Sequence, residues 1–408
     1  MNKIVLLGAF DRFNYGDLLF PLILENYLHD MLINGKKYTV EYYGLIESDL
    51  SLKGGKPTKK LSSLFRENEL KNGDTIIMVG GEMLGATWYR MKLSLQANNV
   101  INYTYKIASK LIGEPRVSKY IRKRMKVKND MPWVIDPNSF TPSVKVIYNT
   151  VGGSKIKQTN RQYLSRALAN ASFISVRDNT TKGNLGNIID SKIDDVNVYP
   201  DSALIMSDIF SKELLLEKST KATSTWIKRE KPYLVFQVNK HIGKDKIDIL
   251  AEKLHKIHEY TNLDIVLLPI GTAANHEDHI PLMSIKTKAN NAKFIYLPSE
   301  ENIYEIMCLI AHAKIYVGTS LHGAITSLSY NIPHLAFTDK ITKLIEFIKT
   351  WEQGEELIYT DTQNMEINIK RKIDCFNYEK SNTLLKELKN KVYMNLEQIK
   401  KVIEQDTK

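Results

Sequence analysis

Short apolar runs alternate along the whole chain with stretches in which apolar residues recur every three or four positions. That alternation predicts parallel sheets covered by helices. In the first half it predicts strands at 3–7, 39–43, 75–79, 144–149, 173–176 and 197–199, with helices at 17–33 and 161–170. From Phe210 to Lys231 the chain turns polar and rich in Lys, Ser and Thr, without strand alternation. A domain link at 211–231 is therefore expected, between an N-terminal domain at 1–210 and a C-terminal domain at 232–375. The second half repeats the scheme, with strands at 233–238, 264–268, 293–296, 314–317 and 334–337. Ile247, Leu250, Leu254 and Ile257 mark one buried helix face, and Ile303, Ile306 and Ile310 another. A last helix near 382–404, within 376–408, is expected to pack back on the first domain. The fold class is thus α/β: two Rossmann-like domains whose parallel sheets face a central cleft, where ligands bind at the strands' carboxyl ends.

Composition narrows the picture. A chain of 408 residues suits two domains, and 43% hydrophobic with 25% charged residues is globular. The 57 Lys and Arg exceed the 46 Asp and Glu by eleven, which favours an anionic partner. Much of that excess is local: Arg116, Lys119, Arg122, Lys123, Arg124, Lys126 and Lys128 follow Trp88, Tyr89, Met91, Leu93, Leu95, Tyr103 and Tyr105. This basic insertion, near 86–130, has two readings: a membrane-surface patch that meets a lipid-linked acceptor, or a solvated basic helix after a core helix. No nucleic-acid recognition motif accompanies it, so nucleic acid is not expected as a partner. Cys308 and Cys375 are the only cysteines, which implies no disulfide framework. The apolar run at 4–7 is too short for a signal-peptide core, and no run reaches membrane-spanning length. A cytoplasmic protein is expected, with the inner face of the membrane as a candidate contact.

Candidate chemistry gathers at strand ends. After the strand at 314–317 comes Gly318-Thr319-Ser320-Leu321-His322, where the chain restarts as a helix. Glycine permits the turn, Thr319 or Ser320 can cap, and the first-turn amides with the positive helix end suit an anion. His322 places a proton-transfer group beside that seat. The Gly8–Asp17 loop after the first strand holds Asn14 and Gly16, which suit a tight turn, and Asp17, which can cap the next helix; its spacing is not a dinucleotide fingerprint. Gly80-Gly81-Glu82 and Val151-Gly152-Gly153 are further strand-end turns, together suggesting a ligand floor. Arg177 can offer a planar fork to phosphate or carboxylate, or pair with Asp178 or Asp201. Asp201 itself can cap or serve the site. No metal is expected, since His276, Asp278 and His279 lack an established zinc spacing, and Walker loops and CxxC pairs are absent.

Taken in order, Asn14-Tyr-Gly-Asp17, Gly80-Gly81, Ser175-Val-Arg177-Asp178, Asp201-Ser-Ala203 and Gly318-Thr-Ser-Leu-His-Gly-Ala-Ile325 resemble the motif series of the polysaccharide pyruvyl transferase family. The resemblance implies a GT-B-like fold and transfer of the enolpyruvyl unit of phosphoenolpyruvate to a sugar, as a pyruvate ketal. It implies His322 and Asp17 as catalytic residues. Arg177, Lys240, Gly318, Thr319, Ser320, Leu321 and His276 would hold the small anionic donor. Asn14, Gly16, Gly81, Glu82 and Asp201 would hold a glycan or lipid-linked oligosaccharide acceptor. No cofactor is implied; phosphoenolpyruvate is a substrate. One position departs from the family, which commonly has arginine just before the Leu-His pair, where this chain has Ser320. A bidentate clamp is thereby lost, and Lys240 or Arg177 is expected to supply the charge. A nucleotide-sugar glycosyltransferase and a non-catalytic glycan binder are the alternative functions.

Overall fold

The computed structural model describes residues 2–33, 38–95, 98–157, 160–241, 244–274, 276–299, 302–338, 343–354 and 357–405. Two parallel sheets organise them. The first contains β1 (Lys3–Leu7), β2 (Thr39–Gly44), β3 (Lys59–Lys60), β4 (Thr75–Met78), β5 (Gly81–Glu82), β6 (Lys145–Gly152), β7 (Phe173–Val176) and β8 (Asn197–Val198). Its order is β3-β2-β1-β4-β6-β7-β8, with β5 beside β6. The second contains β9 (Tyr233–Gln237), β10 (Asp264–Leu267), β11 (Ile295–Tyr296), β12 (Ile315–Gly318), β13 (His334–Phe337) and β14 (Tyr359–Thr360), ordered β11-β10-β9-β12-β13-β14. Ile4 lies opposite Val40 and Thr75, and Leu234 opposite Ile265 and Ile315, in parallel register.

The two central strands are unbroken apolar runs because helices cover both sheet faces, so neither face needs a polar set. Chain order reverses between β1 and β4, and again between β9 and β12. A ligand crevice opens outside the carboxyl ends at such reversals. Strands β3 and β5 have only two residues each and no apolar run to announce them. The polar stretch after Phe210 forms two helices, Lys212–Lys218 and Lys221–Ile227. Its Ser and Thr are caps: Ser211 accepts from the Leu214 amide, and Thr220 from that of Thr223. Buried Glu305 also accepts from the Thr220 amide at 2.9 Å.

The helix Tyr15–Ile33 is apolar nearly all round. Its described side chains pack on the first sheet and also on helices Ile303–Ala311 and Leu321–Ser329, inside one core shared by both halves. Backbone bonds tie the halves at the cleft base: the Tyr15 amide donates to Ile270 O, and that of Ala273 to Phe13 O, each at 3.2 Å. The helix Tyr378–Glu404 returns over β6 and buries Leu385, Leu388, Val392, Leu396, Ile399 and Ile403 along one face. Each such side chain stabilises the packing by roughly 1.5–3 kcal/mol. Asn395 Nδ2 donates to Asn149 Oδ1 at 2.7 Å, and Lys145 Nζ to Ile403 O at 2.9 Å. Between β5 and β6 the basic insertion forms helices Trp88–Leu95, Asn99–Ile112 and Glu114–Met125. Among the described residues, no helix is long and apolar enough to cross a membrane.

Candidate active site

A cavity of about 390 Å³ lies between the facing strand ends. The loop after β1 contributes Arg12 and Asn14, with Asp17 from the helix that follows; Gly81 and Glu82 are β5 itself, and Arg177 follows β7. From the other half come Gln237 at the end of β9, His276 after β10, Thr319 to His322 after β12, and Lys343 opening the helix Lys343–Trp351.

Arg177 is 2% exposed, yet its charge is held on both sides. Its Nη2 lies 2.6 Å from Glu82 Oε2, and its Nε 3.5 Å from Asp178 Oδ2. A bulge in β6, where Thr150 adopts φ +44°, lets that strand pair with β4 and then with β5, bringing Glu82 beside Gly152 and Arg177. A Cβ at Gly152 would come within 2.6 Å of Arg177 Nη2, so this position must stay bare. Glu82 Oε1 also accepts from the Ser154 amide at 2.7 Å and from its hydroxyl at 2.8 Å. Burial works to raise the Glu82 pKa, but Arg177 and Ser154 overcome it and hold the carboxyl below its usual range. The Trp351 indole donates to Arg177 O at 2.8 Å, tying the Lys343 helix to this wall.

His322 stands on the opposite side, 7% exposed, with Phe20 edge-on at 5.5 Å. The imidazole lies directly over Gly16: a Cβ there would fall 1.8 Å from Nδ1. Gly16 therefore seats the catalytic candidate and leaves the acceptor set. Asp201 leaves it too, because its side chain is wholly buried behind His322 and cannot reach an acceptor. Asp201 Oδ1 accepts from the Ala203 amide at 3.0 Å, while Oδ2 lies 3.8 Å from His322 Nε2, and neither of those last two atoms has a hydrogen-bond partner. Burial, then the charges of Lys343 and Arg177, push the His322 pKa well below its ordinary value. Burial outweighs Arg177 and the Ala203 amide to push Asp201 up to about 6. Asp17 is likewise raised by its desolvated setting, against Arg12, Lys343 and Arg177; Asn14 Nδ2 donates to its Oδ2 at 2.9 Å.

The start of the Leu321–Ser329 helix corrects the expected anion seat. Ser320 does cap, accepting from the Gly323 amide at 3.3 Å. But the Thr319 and Ser320 amides are not free: both donate to Gln237 Oε1, at 2.9 and 3.0 Å. Gln237 Nε2 in turn donates to Asp278 Oδ2 at 2.8 Å, which also accepts from the Ile270 and Gly271 amides. This network locks the ends of β9, β10 and β12 together. The Leu321 and His322 amides are the first-turn donors left for a ligand. Gly318 lies off the cavity, beneath the Tyr316 phenol, which a Cβ at Gly318 or Gly323 would strike at 2.3 or 2.2 Å.

Lys240 pairs with Glu277 and lies off the cavity lining, so it does not stand in for the arginine that Ser320 replaces. The cations that line the cavity are Arg12, Arg177 and Lys343. Arg12 Nη1 lies 2.8 Å from Asp11 Oδ1, and its guanidinium sits over Trp133, 5.9 Å from the ring centre. Lys343 opens to the cavity while protein crowds its other sides; that desolvation, then Arg177, lowers its pKa. His276 is lowered to about 4 by burial, then by Lys343 and Arg12. Arg12 was visible in the sequence as part of its glycine loop, but Lys343 stands beside no motif. Among the described residues no group of three or more His, Cys, Asp or Glu is placed to hold a metal.

Comparison with known proteins sets this cavity in a lineage. The chain resembles UDP-GlcNAc 2-epimerase from Neisseria meningitidis, solved with UDP-GlcNAc, at 12% identity and TM-score 0.55, covering 99% of each chain. It also resembles S. aureus MnaA with UDP, at 15% identity and TM-score 0.59, covering 98% of this chain and 95% of that one. At these identities the likeness concerns the two-domain, GT-B-like fold. Among curated protein sequences none matches. The family model for polysaccharide pyruvyl transferase matches residues 14–340, from the Asn14 turn through His322 and beyond it. The chain therefore belongs to the polysaccharide pyruvyl transferase family, a family of transferases.

Proposed function

We propose that this enzyme transfers the pyruvyl unit of phosphoenolpyruvate to hydroxyls of a glycan as a ketal. The observation that carries the proposal is the convergence of Arg12, Arg177 and Lys343 on one cavity with His322 and the Leu321 and His322 amides. His322 and His276 are both lowered, first by burial and then by Lys343, with Arg177 acting on the former and Arg12 on the latter. A small donor bearing phosphate and carboxylate suits those cations and amides.

The chemistry follows from the donor. Its terminal carbon takes a proton, the adjacent carbon becomes electrophilic, and a sugar hydroxyl attacks it and loses its own proton. Phosphate then departs, and a second hydroxyl closes the ketal. His322 is the proton donor: binding of the anionic donor offsets Lys343 and Arg177, raises the imidazole pKa and charges it. With Nε2 turned towards Asp201, Nδ1 is the nitrogen left for the donor, and the Asp201 carboxylate steadies the imidazolium. Asp17, whose raised pKa makes it the stronger base, takes the acceptor's proton. Lys343, Arg12 and the Leu321 and His322 amides hold phosphate as it leaves.

Turnover in D2O tests this, with phosphoenolpyruvate and a glycan acceptor. Release of inorganic phosphate and a product methyl group bearing one deuterium is expected. The two neighbours named with UDP favour a second reading, a nucleotide-sugar donor in the same crevice. Release of nucleoside diphosphate, with phosphoenolpyruvate unconsumed, would establish that reading and end the first.

A further inference from the structure

We infer that the outer face of the basic insertion docks on an anionic lipid bilayer. The helix Asn99–Ile112 packs inward through Tyr105 and Ala108. Its opposite side is apolar and open: Val100 is 72% exposed, Tyr103 65%, Ile107 40% and Leu111 78%. At 100° per residue these four fall within an arc of about 80°. A face meant for water would be polar there. On the next helix, Glu114–Met125, buried Val117 and Ile121 point inward. Arg116, Lys119, Tyr120, Lys123 and Arg124 form the exposed side.

Charge chooses the occupant. Residues 98–128 contain nine Lys and Arg against one acid, Glu114, which is already held by Lys157 and by Thr87 Oγ1; of the nine, Arg122 pairs with Asp130 just beyond. A second copy would set eight like charges against eight. Nucleic acid would satisfy the cations but leave the aliphatic stripe wet. A bilayer of anionic lipid satisfies both, with aliphatic side chains at the acyl boundary and cations among the headgroups. The preceding helix, Trp88–Leu95, turns Met91 and Ser94 into the cavity, so the same insertion walls the active site. Docking would hold this insertion, and with it one wall of the cavity, at the bilayer that carries a lipid-linked acceptor. That use rests on the pyruvyl-transfer reading; the docking does not.

Co-sedimentation with vesicles, which needs no turnover, tests it on the full chain. The wild type is expected to bind phosphatidylcholine vesicles containing phosphatidylglycerol, not phosphatidylcholine alone, and to be released by salt. Lys119→Gln with Lys123→Gln should weaken binding roughly fivefold for each cation removed. Ile107→Glu with Leu111→Glu should abolish it, while unfolding temperature and turnover of a soluble acceptor stay unchanged. Absence of binding to the anionic vesicles at low salt would overturn the inference, as would binding indifferent to Ile107 and Leu111. Self-association lost in that double variant, without vesicle binding, would assign the face to a second copy and also overturn it.

Discussion

The two walls of the cavity treat charge differently. On the N-terminal wall, both arginines are matched: Arg177 lies between Glu82 and Asp178, and Arg12 against Asp11. On the C-terminal wall, His322 Nε2 is buried without a partner, His276 is lowered to about 4 by burial and then by nearby cations, and Lys343 has no ion-pair partner among the described residues. The matched wall is a frame, in which burial of each ion is offset by its neighbour. The unmatched wall stores an electrostatic imbalance that a ligand can relieve.

Removing the imidazole should break the contrast most severely. His322→Gln is expected to lower kcat by roughly 10²–10⁴-fold with a smaller change in donor KM, in steady-state assays on a variant whose circular dichroism is native. If most of the rate survives, the proton is delivered by another group. Asp201→Asn probes the seam behind His322. A carboxyl whose folded pKa is raised costs stability above that pKa and ceases to cost it as pH falls towards the ordinary value. Asp201, at about 6 against 3.8, should thus penalise the wild type near pH 8 and not below pH 4. The variant should be more stable at pH 8 by on the order of 2–3 kcal/mol, converging with the wild type in acid, while its turnover falls. Equal unfolding curves at pH 8 would show that the carboxyl carries no such burden.

Gly16→Ala sharpens the geometric side, because the new Cβ must displace the ring of His322. Overpacking of this kind costs about 1–3 kcal/mol, read by denaturant titration, and kcat should fall as the ring moves. Lys343→Met should raise donor KM by about tenfold, the loss of one charge-assisted contact. It should also reduce the proton uptake on donor binding, measured by calorimetry in buffers of different ionisation heat. Lys240→Ala is the control: its ammonium is bound to Glu277 away from the cavity, so donor KM should change less than about twofold. A large change would restore Lys240 to the donor set.

Much of the fold was legible because both sheets are buried on both faces, which writes each main strand as a continuous apolar run. Strands 3–7, 173–176 and 334–337 coincide with β1, β7 and β13, whereas two-residue strands such as β5 left no run to read. The helices after Phe210 were hidden because their Ser and Thr caps look like loop residues. At the site, Asn14, Asp17, Arg177 and His322 could be named from strand-end motifs, since turn and capping chemistry is local. Other assignments needed partners far along the chain. Gln237 occupies amides some eighty residues away, Asp201 lies behind His322, and Lys343 reaches the cavity from a helix tied to Arg177 O.

By itself, then, the sequence determined the class of fold, the strand ends at which a cleft opens and the types of group that border it. Those follow from hydrophobic periodicity and backbone sterics, which act over a few residues. Which amides stay free, which cations remain unmatched and which carboxylate is sealed from solvent were decided only when the two halves closed on each other. Desolvation and Coulomb energy depend on distances through space, and only the packed structure sets them.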